Sequence, residues 1–177
     1  MHSWLRLYLQ PRLLVVLILG FVSGLPLALS ASTLSVWLTE AGVSLSAIGL
    51  FAAVGTPYTL KFLWSPLIDG LKLPFFTKVF GKRRGWMIAI QILLMVSLIA
   101  LGLCNPAENA WWVAFFALLV ATASATQDII IDAYRVEILP SEEQGAGAAM
   151  IVLGYRLGMI VSAAGALFLA TEYGWAV

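Results

Sequence analysis

The chain has 177 residues, 62% of them hydrophobic and 11% charged, with a formal net charge of +1. Soluble domains carry roughly 25% charged residues, so this composition excludes an ordinary water-soluble fold. The small net charge points to no particular partner, and no nucleic-acid partner is expected.

The natural unit of length is then the membrane span, about 20 apolar residues. Residues 1–11 read as a cytoplasmic or interfacial segment. Within it SWLRLYLQ sets Trp4 and Tyr8 around Arg6 ahead of Pro11. This is either a short interfacial helix with aromatics at headgroup level or a frayed tail. The apolar run that follows passes the small-residue stretch at 28–32 and exceeds the roughly 7–15 residues of a signal-peptide core, so it reads as a span and not a leader.

The first span is predicted over residues 12–39. Gly20, Gly24 and Pro26 are expected to break it near its middle, because proline removes a helical donor. Beyond the break, Ser30, Ser32, Thr33 and Ser35 make one side polar. That side lines a wet path or packs closely against a neighbour. Residues 40–46 form a turn, with Ser44 or Ser46 as N-cap of a second span over 47–69. Thr56-Pro57 marks a kink in it, and Lys61 is expected to face inward, sharing a face with Tyr58. Residues 71–85 read as a basic loop carrying Lys72, Lys78, Lys82, Arg83 and Arg84.

The third span, 86–103, has Gln91 as its only strongly polar side chain and is expected to pack against lipid. The lone cysteine, Cys104, excludes an internal disulfide and reads as small apolar filler. After a turn at 105–110, Trp111-Trp112 opens the fourth span, 111–134, at an aromatic belt. Ser141 and Gln144 have capping-box spacing ahead of a fifth span, 144–171. There Gly154 and Gly158 stand at the spacing that lets helix backbones approach. The sequence therefore predicts an all-α membrane protein with five transmembrane helices, residues 12–177 forming a partial bundle.

Lysine and arginine fix the orientation. Arg6, Arg12, Lys72, Lys78, Lys82, Arg83, Arg84 and Arg135 fall in the N-terminal segment and the second and fourth connections, and the other two connections have none. By the positive-inside rule the N-terminus is cytoplasmic. Five spans then place the last residue outside, and the chain is expected to be one part of a larger bundle.

Four charges lie within or at the edge of these spans: Lys61, Asp128, Asp132 and Arg156. Asp128 and Asp132 are four residues apart, so both carboxyls project from one helix face. Charge at such depth is costly unless it faces protein, water or a cation. The set reads either as structural ion pairs or as a transport site in which cations meet an anionic substrate and a carboxylate exchanges protons. Gln127 adds an amide, and Trp37, Tyr58 and Tyr155 offer flat faces to a sugar or ring. Enzymatic motifs are lacking: there is no HExxH, GxSxG or phosphate loop, and His2 is the only histidine. No enzyme activity, cofactor or metal is expected.

Two resemblances refine this. Ser65-Pro66-Leu67-Ile68-Asp69 followed by Gly81-Lys82-Arg83-Arg84 resembles the loop signature of the major facilitator superfamily, with Ser65 in place of the usual glycine and an insertion of about ten residues. The wider pattern is similar to the AmpG muropeptide permeases over nearly the whole chain. It comprises Ser23-Gly24-Leu25-Pro26, Lys61-Phe62-Leu63-Trp64-Ser65-Pro66, Ser124-Ala125-Thr126-Gln127-Asp128 and Leu153-Gly154-Tyr155-Arg156-Leu157-Gly158. The acetyl-CoA transporters are similar around Gln127-Asp128.

The resemblance implies a multi-pass protein of the bacterial inner membrane, this chain supplying the N-terminal bundle and a missing C-terminal half the rest. It implies proton-driven import of anhydromuropeptides (GlcNAc-anhydro-MurNAc and its peptides) for peptidoglycan recycling, with a role in β-lactamase induction. Lys61 and Arg156 would hold substrate carboxylates, with Gln127, Tyr58 and Tyr155 beside them. Asp128 or Asp132 would take up the proton. Gly24 and Pro26 would provide a helix break, and Asp69, Arg83 and Arg84 a cytoplasmic gate to which Asp132 is the alternative contributor. Two other classes stay open: a transporter of another organic anion such as acetyl-CoA, and a noncatalytic membrane assembly module.

Overall fold

The computed structural model describes residues 3–175, with side chains from residue 6 onward. The anchoring expected of Trp4 and anything concerning His2 fall outside them. The chain is all helical. Helix α1, Ser3–Tyr8, ends where Gln10 turns extended (φ −65°, ψ 139°), as the residue before a proline must. Pro11 then starts α2, Pro11–Ala28.

The break expected at Gly24 and Pro26 does not occur there. Helix α2 runs through both residues and passes into a π-helical turn, Leu29–Thr33, and then α3, Leu34–Glu40. Together they make one apolar rod of 30 residues. The widened turn is tolerated because serine hydroxyls bond the displaced carbonyls. Ser30 Oγ donates to the Pro26 carbonyl at 2.9 Å and Ser32 Oγ to that of Ala28 at 3.2 Å.

The glycines of α2 serve packing instead. Gly20 and Gly24 lie on the backbone of Ile151 and Tyr155, and Gly154 and Gly158 lie reciprocally on Leu17 and Phe21. A Cβ at any of the four would overlap a carbonyl oxygen of the facing helix. Two GxxxG seams thus interlock α2 with α10, Gln144–Tyr173. Ser162 Oγ extends the seam by donating to the Leu25 carbonyl at 2.7 Å.

The second predicted span is a succession of short pieces. Ser44, and not Ser46, caps α4, Leu45–Phe51, accepting from Ala47 N. A 3₁₀ turn, Ala52–Gly55, leads to α5, Thr56–Leu60, and another, Lys61–Leu63, to α6, Ser65–Gly70. Pro57 and Pro66 each remove a donor, and Leu60 (φ −93°, ψ 0°) and Trp64 (φ −108°, ψ −1°) leave helical geometry. Among the described residues four helices are long and apolar enough to cross a membrane: Pro11–Glu40, Lys82–Gly102, Ala110–Ile138 and Ser141–Tyr173.

The basic loop holds a helix that hydrophobic patterning did not reveal, α7, Pro74–Phe80. Pro74 starts it and Gly81 at φ +80° ends it. Gly85 lets its successor α8, Lys82–Gly102, lie against the Phe76 backbone. Helix α8 leaves Ile92, Met95, Val96 and Ile99 exposed. Helix α9, Ala110–Ile138, is capped by Asn109, whose Oδ1 accepts from Trp111 N at 3.1 Å. It is the internal helix, with Ala121 and Ala123–Asp128 buried.

The predicted capping box is not formed. Ser141–Glu143 is a 3₁₀ turn in which Ser141 Oγ bonds Glu142, and Gln144 Nε2 reaches back to the carbonyls of Leu139 (2.8 Å) and Val136 (3.2 Å). Gln144 therefore closes the end of α9, where carbonyls lack helical partners. Three apolar clusters fill the bundle. One centres on Leu38, Leu94, Val113 and Val120, a second on Leu13, Val16, Leu139 and Met150, and a third on Ile68, Ile90 and Ile130 with Trp64 and Trp86.

Candidate functional site

Helix α9 carries the site. Asp128 points from its buried stretch between α2 and the Lys61–Leu63 turn, its side chain 11% exposed. The Ser23 hydroxyl of α2 donates to Oδ1, and Lys61 Nζ stands 3.3 Å from Oδ2. Lys61 heads a 3₁₀ turn, so its side chain leaves the broken segment toward α9 and keeps 34% exposure. A buried carboxylate is thus held by one cation and one hydroxyl, the minimum that makes its charge tolerable.

The pair opens on a groove of about 720 Å³ lined by Ser23, Lys61, Asp128, Asp132, Tyr155 and Arg156 along with apolar side chains of α9 and α10. Arg156 is exposed in it and makes no ion pair among the described residues. Its planar fork suits a carboxylate. Asp132 is half exposed and lies 3.8 Å from Arg135 of its own helix. Five of the residues singled out in the sequence therefore converge: Lys61, Asp128, Asp132, Tyr155 and Arg156. With two cations and two carboxylates, the groove has the means to bind an anion and to exchange a proton.

The others lie elsewhere. Gln127 is fully buried on the far side of α9, beside Leu19, Met87, Ile88 and Gln91, and its Oε1 has no protein partner. One residue along a helix turns the side chain by about 100°, which removes it from the groove. Tyr58 borders a second cavity, of about 400 Å³, with Ser30, Ser32 and Ser35. Trp37 lies against Trp175, ring centroids 6.2 Å apart and planes tilted by 31°, and Trp175 Nε1 donates to Glu40 at 2.6 Å. Gly24 packs on α10, as described above, and Pro26 is buried within the unbroken α2.

A second ionic cluster sits at the end of α9. Arg83 donates to Asp69 Oδ1 at 2.5 Å and to Glu137 Oε1 at 2.7 Å, and Lys82 caps the Asp69 carbonyl. Glu137, and not Asp132, joins Asp69 in this cluster, and Arg84 is exposed and makes no ion pair among the described residues. Two residues before Asp128 on α9, Thr126 Oγ1 accepts from Trp64 Nε1 at 3.1 Å. Ser23, Thr126 and Glu137 escaped sequence reasoning. Ser23 stands three residues after Gly20 on the seam face, which is the signal that would have found it. Glu137 is one of several end-of-helix acids with nothing to distinguish it. Among the described residues, no group of three or more His, Cys, Asp or Glu is placed to hold a metal ion.

Residues 12–112 match the family model described as acetyl-coenzyme A transporter 1. The chain is 51% identical to the anhydromuropeptide permease of Escherichia coli K12 over 98% of its own length, and 40% identical to the putative transporter AmpG 4 of Rickettsia felis over 96%. An uncharacterized protein of Haemophilus influenzae is 41% identical over 93%. The alignments span 35%, 41% and 38% of those relatives. No solved structure matches. The chain belongs to the acetyl-coenzyme A transporter 1 family, among its AmpG-type permeases.

Proposed function

We propose that the full-length protein imports anhydromuropeptides, GlcNAc-anhydro-MurNAc and its peptides, across the bacterial inner membrane in exchange for the free energy of inward proton flow. It thereby serves peptidoglycan recycling and, through the imported ligand, β-lactamase induction. Residues 12–177 supply five crossings of its N-terminal bundle, residues 45–70 making the second as a broken span, with the N-terminus cytoplasmic. A C-terminal half completes the site across the groove. The protein does this without enzyme chemistry or cofactor.

The observation that carries this reading is the 51% identity to an anhydromuropeptide permease across 98% of the chain. The groove supports it chemically. Muropeptides carry several carboxylates, for which Arg156 and Lys61 are apt partners, with the Tyr155 ring beside them. Lys61 is held by Asp128, so substrate and Asp128 compete for one ammonium. A proton on Asp128 frees Lys61 for the substrate, and substrate release returns Lys61 to the carboxylate as the proton leaves. Coupling then follows from a shared cation.

The test is uptake of labelled GlcNAc-anhydro-MurNAc into vesicles carrying the full-length protein, with and without an imposed proton gradient. Gradient-dependent accumulation is expected. No accumulation by a folded, inserted protein would refute the substrate. Competition by excess acetyl-CoA would favour the second reading, which the name of the matching family model supports.

A further inference from the structure

The groove and the serine-lined cavity are separate hollows, and Tyr58 stands between them. It borders the cavity with Ser30, Ser32 and Ser35, and three residues later Lys61 lines the groove with Asp128. The Tyr58 hydroxyl is buried and has no protein hydrogen-bond partner. Its polar neighbours are the hydroxyls of Ser124 and Ser30, with the Asp128 carboxylate beyond. Ser124 Oγ is buried and unpartnered too. Ser124 and Asp128 are four residues apart on α9 and so share a face. Two such hydroxyls side by side in a membrane interior are satisfied by each other or by a bridging water, and either arrangement joins them into one chain of proton carriers.

We propose that Tyr58 and Ser124, with bridging water, form the path by which protons pass between the serine-lined cavity and Asp128. This rests on the transport reading above. A hydronium in the cavity gives its proton to the Tyr58 oxygen as the phenol's own proton leaves toward Ser124 or an adjacent water. That acceptor passes its own proton to a carboxylate oxygen of Asp128. Each oxygen breaks one O–H bond and forms another, the hydroxyls reset by rotation, and the net change is one proton moved and one carboxylate neutralised. Around Asp128 stand Ser23 on α2, Lys61 on the broken segment, Asp132 on α9 and Tyr155 on α10. The Tyr155 phenol lines the groove and not the cavity, whereas Tyr58 lines the cavity, so Tyr58 is the hydroxyl placed for entry from it. Tyr58 thus acts through Asp128 and is a positioning residue for proton transfer, not a contact for substrate.

Two measurements on the full-length protein in liposomes test this. The first needs no substrate: infrared detection of the carboxylic-acid stretch lost in Asp128→Asn, followed after a pH jump on the cavity side. Tyr58→Phe should slow its appearance about tenfold or more with the final amplitude unchanged. Ser124→Ala should slow it less, because water can take the place of a small hydroxyl. The second compares gradient-driven uptake of labelled GlcNAc-anhydro-MurNAc with its equilibrium exchange. Tyr58→Phe should depress uptake about tenfold while exchange changes less than about twofold. Unchanged infrared kinetics in both variants would overturn the path. So would uptake and exchange falling together, which would make Tyr58 structural. Failure of the unmodified protein to take up the disaccharide would refute the substrate assignment, and the infrared kinetics would still decide the path.

Discussion

The Lys61–Asp128 pair makes a quantitative prediction. At 3.3 Å and an effective dielectric of about 20, the bare attraction is about 5 kcal/mol. Burial of the carboxylate offsets several kcal/mol of that, and the 34% exposure of Lys61 lets solvent screen part of the rest. The intact pair should therefore be nearly neutral for stability relative to apolar groups of the same shape. Removing one partner is different. Lys61→Met leaves an anion in a site with one hydroxyl, at a cost of about 3 kcal/mol at neutral pH, at the low end for breaking a buried pair. Asp128→Asn leaves a lysine able to snorkel, at a cost of about 1–2 kcal/mol. The double variant Lys61→Met/Asp128→Asn should recover most of both losses, giving a coupling energy of about 3 kcal/mol. Unfolding of the full-length protein by SDS titration in mixed micelles measures each corner of the cycle. The Lys61→Met penalty should also vanish on acidification, because the carboxyl then takes a proton and no charge is left unpaired. A coupling energy below about 0.5 kcal/mol, or a double variant less stable than either single one, would refute the reasoning.

Other outcomes follow from the packing and the second ionic cluster. Gly154→Ala sets a Cβ against the Leu17 carbonyl and should destabilise by about 1–3 kcal/mol, whereas Gly165→Ala, with open space around it, should be neutral or stabilise by up to about 1 kcal/mol in the same SDS titration. Arg83→Gln leaves Asp69 and Glu137 facing each other, but both are about half exposed. The loss should be roughly 1 kcal/mol and shrink in high salt, as unfolding at two ionic strengths would show. Asp128→Asn should raise amide hydrogen exchange over 60–64 more than over 65–70, because the Arg83 cluster still holds the latter. Equal increases across both stretches by mass spectrometry would contradict this.

Much of this molecule is legible in its sequence, and the misses share a cause. Long apolar runs locate the four long helices to within a few residues, because each buries or exposes an unbroken stretch. The convergence of Lys61, Asp128, Asp132 and Arg156 follows from the cost of charge in hydrocarbon, which no sequence places there idly. Periodicity has less purchase on residues 45–70, where Pro57 and Pro66 interrupt the backbone and no single helical phase persists. Gly20 and Gly24 were misread as a break because glycine serves both bending and close approach. Only the facing backbone of Ile151 and Tyr155 distinguishes the two. Gln127 illustrates the limit for sites: adjacency to Asp128 in sequence means side chains turned about 100° apart on a helix.

The broken segment gains its meaning from what ties it down. A continuous helix holds its own register through its hydrogen-bond ladder, whereas residues 45–70 lose that continuity at Leu60 and Trp64. Three polar links fasten this segment to α9 instead: Lys61 to Asp128, Trp64 to Thr126, and Asp69 through Arg83 to Glu137. Helix α9 is unbroken from Ala110 to Ile138, so these links lie along one rigid ruler at Asp128, Thr126 and Glu137, and the outer two, Thr126 and Glu137, are eleven residues or about 16.5 Å apart. The Trp64 link is neutral and the Arg83 link is paired with two acids, so the Lys61 link is the one a single proton can undo. Neutralising Asp128 removes the charge that holds Lys61 while the other two links persist. Motion is then confined to the turn that bears Lys61, beside the groove that Arg156 faces. A carboxyl, a cation and a break in the helical ladder thus meet at one point of the chain, the 3₁₀ turn where helical periodicity is lost.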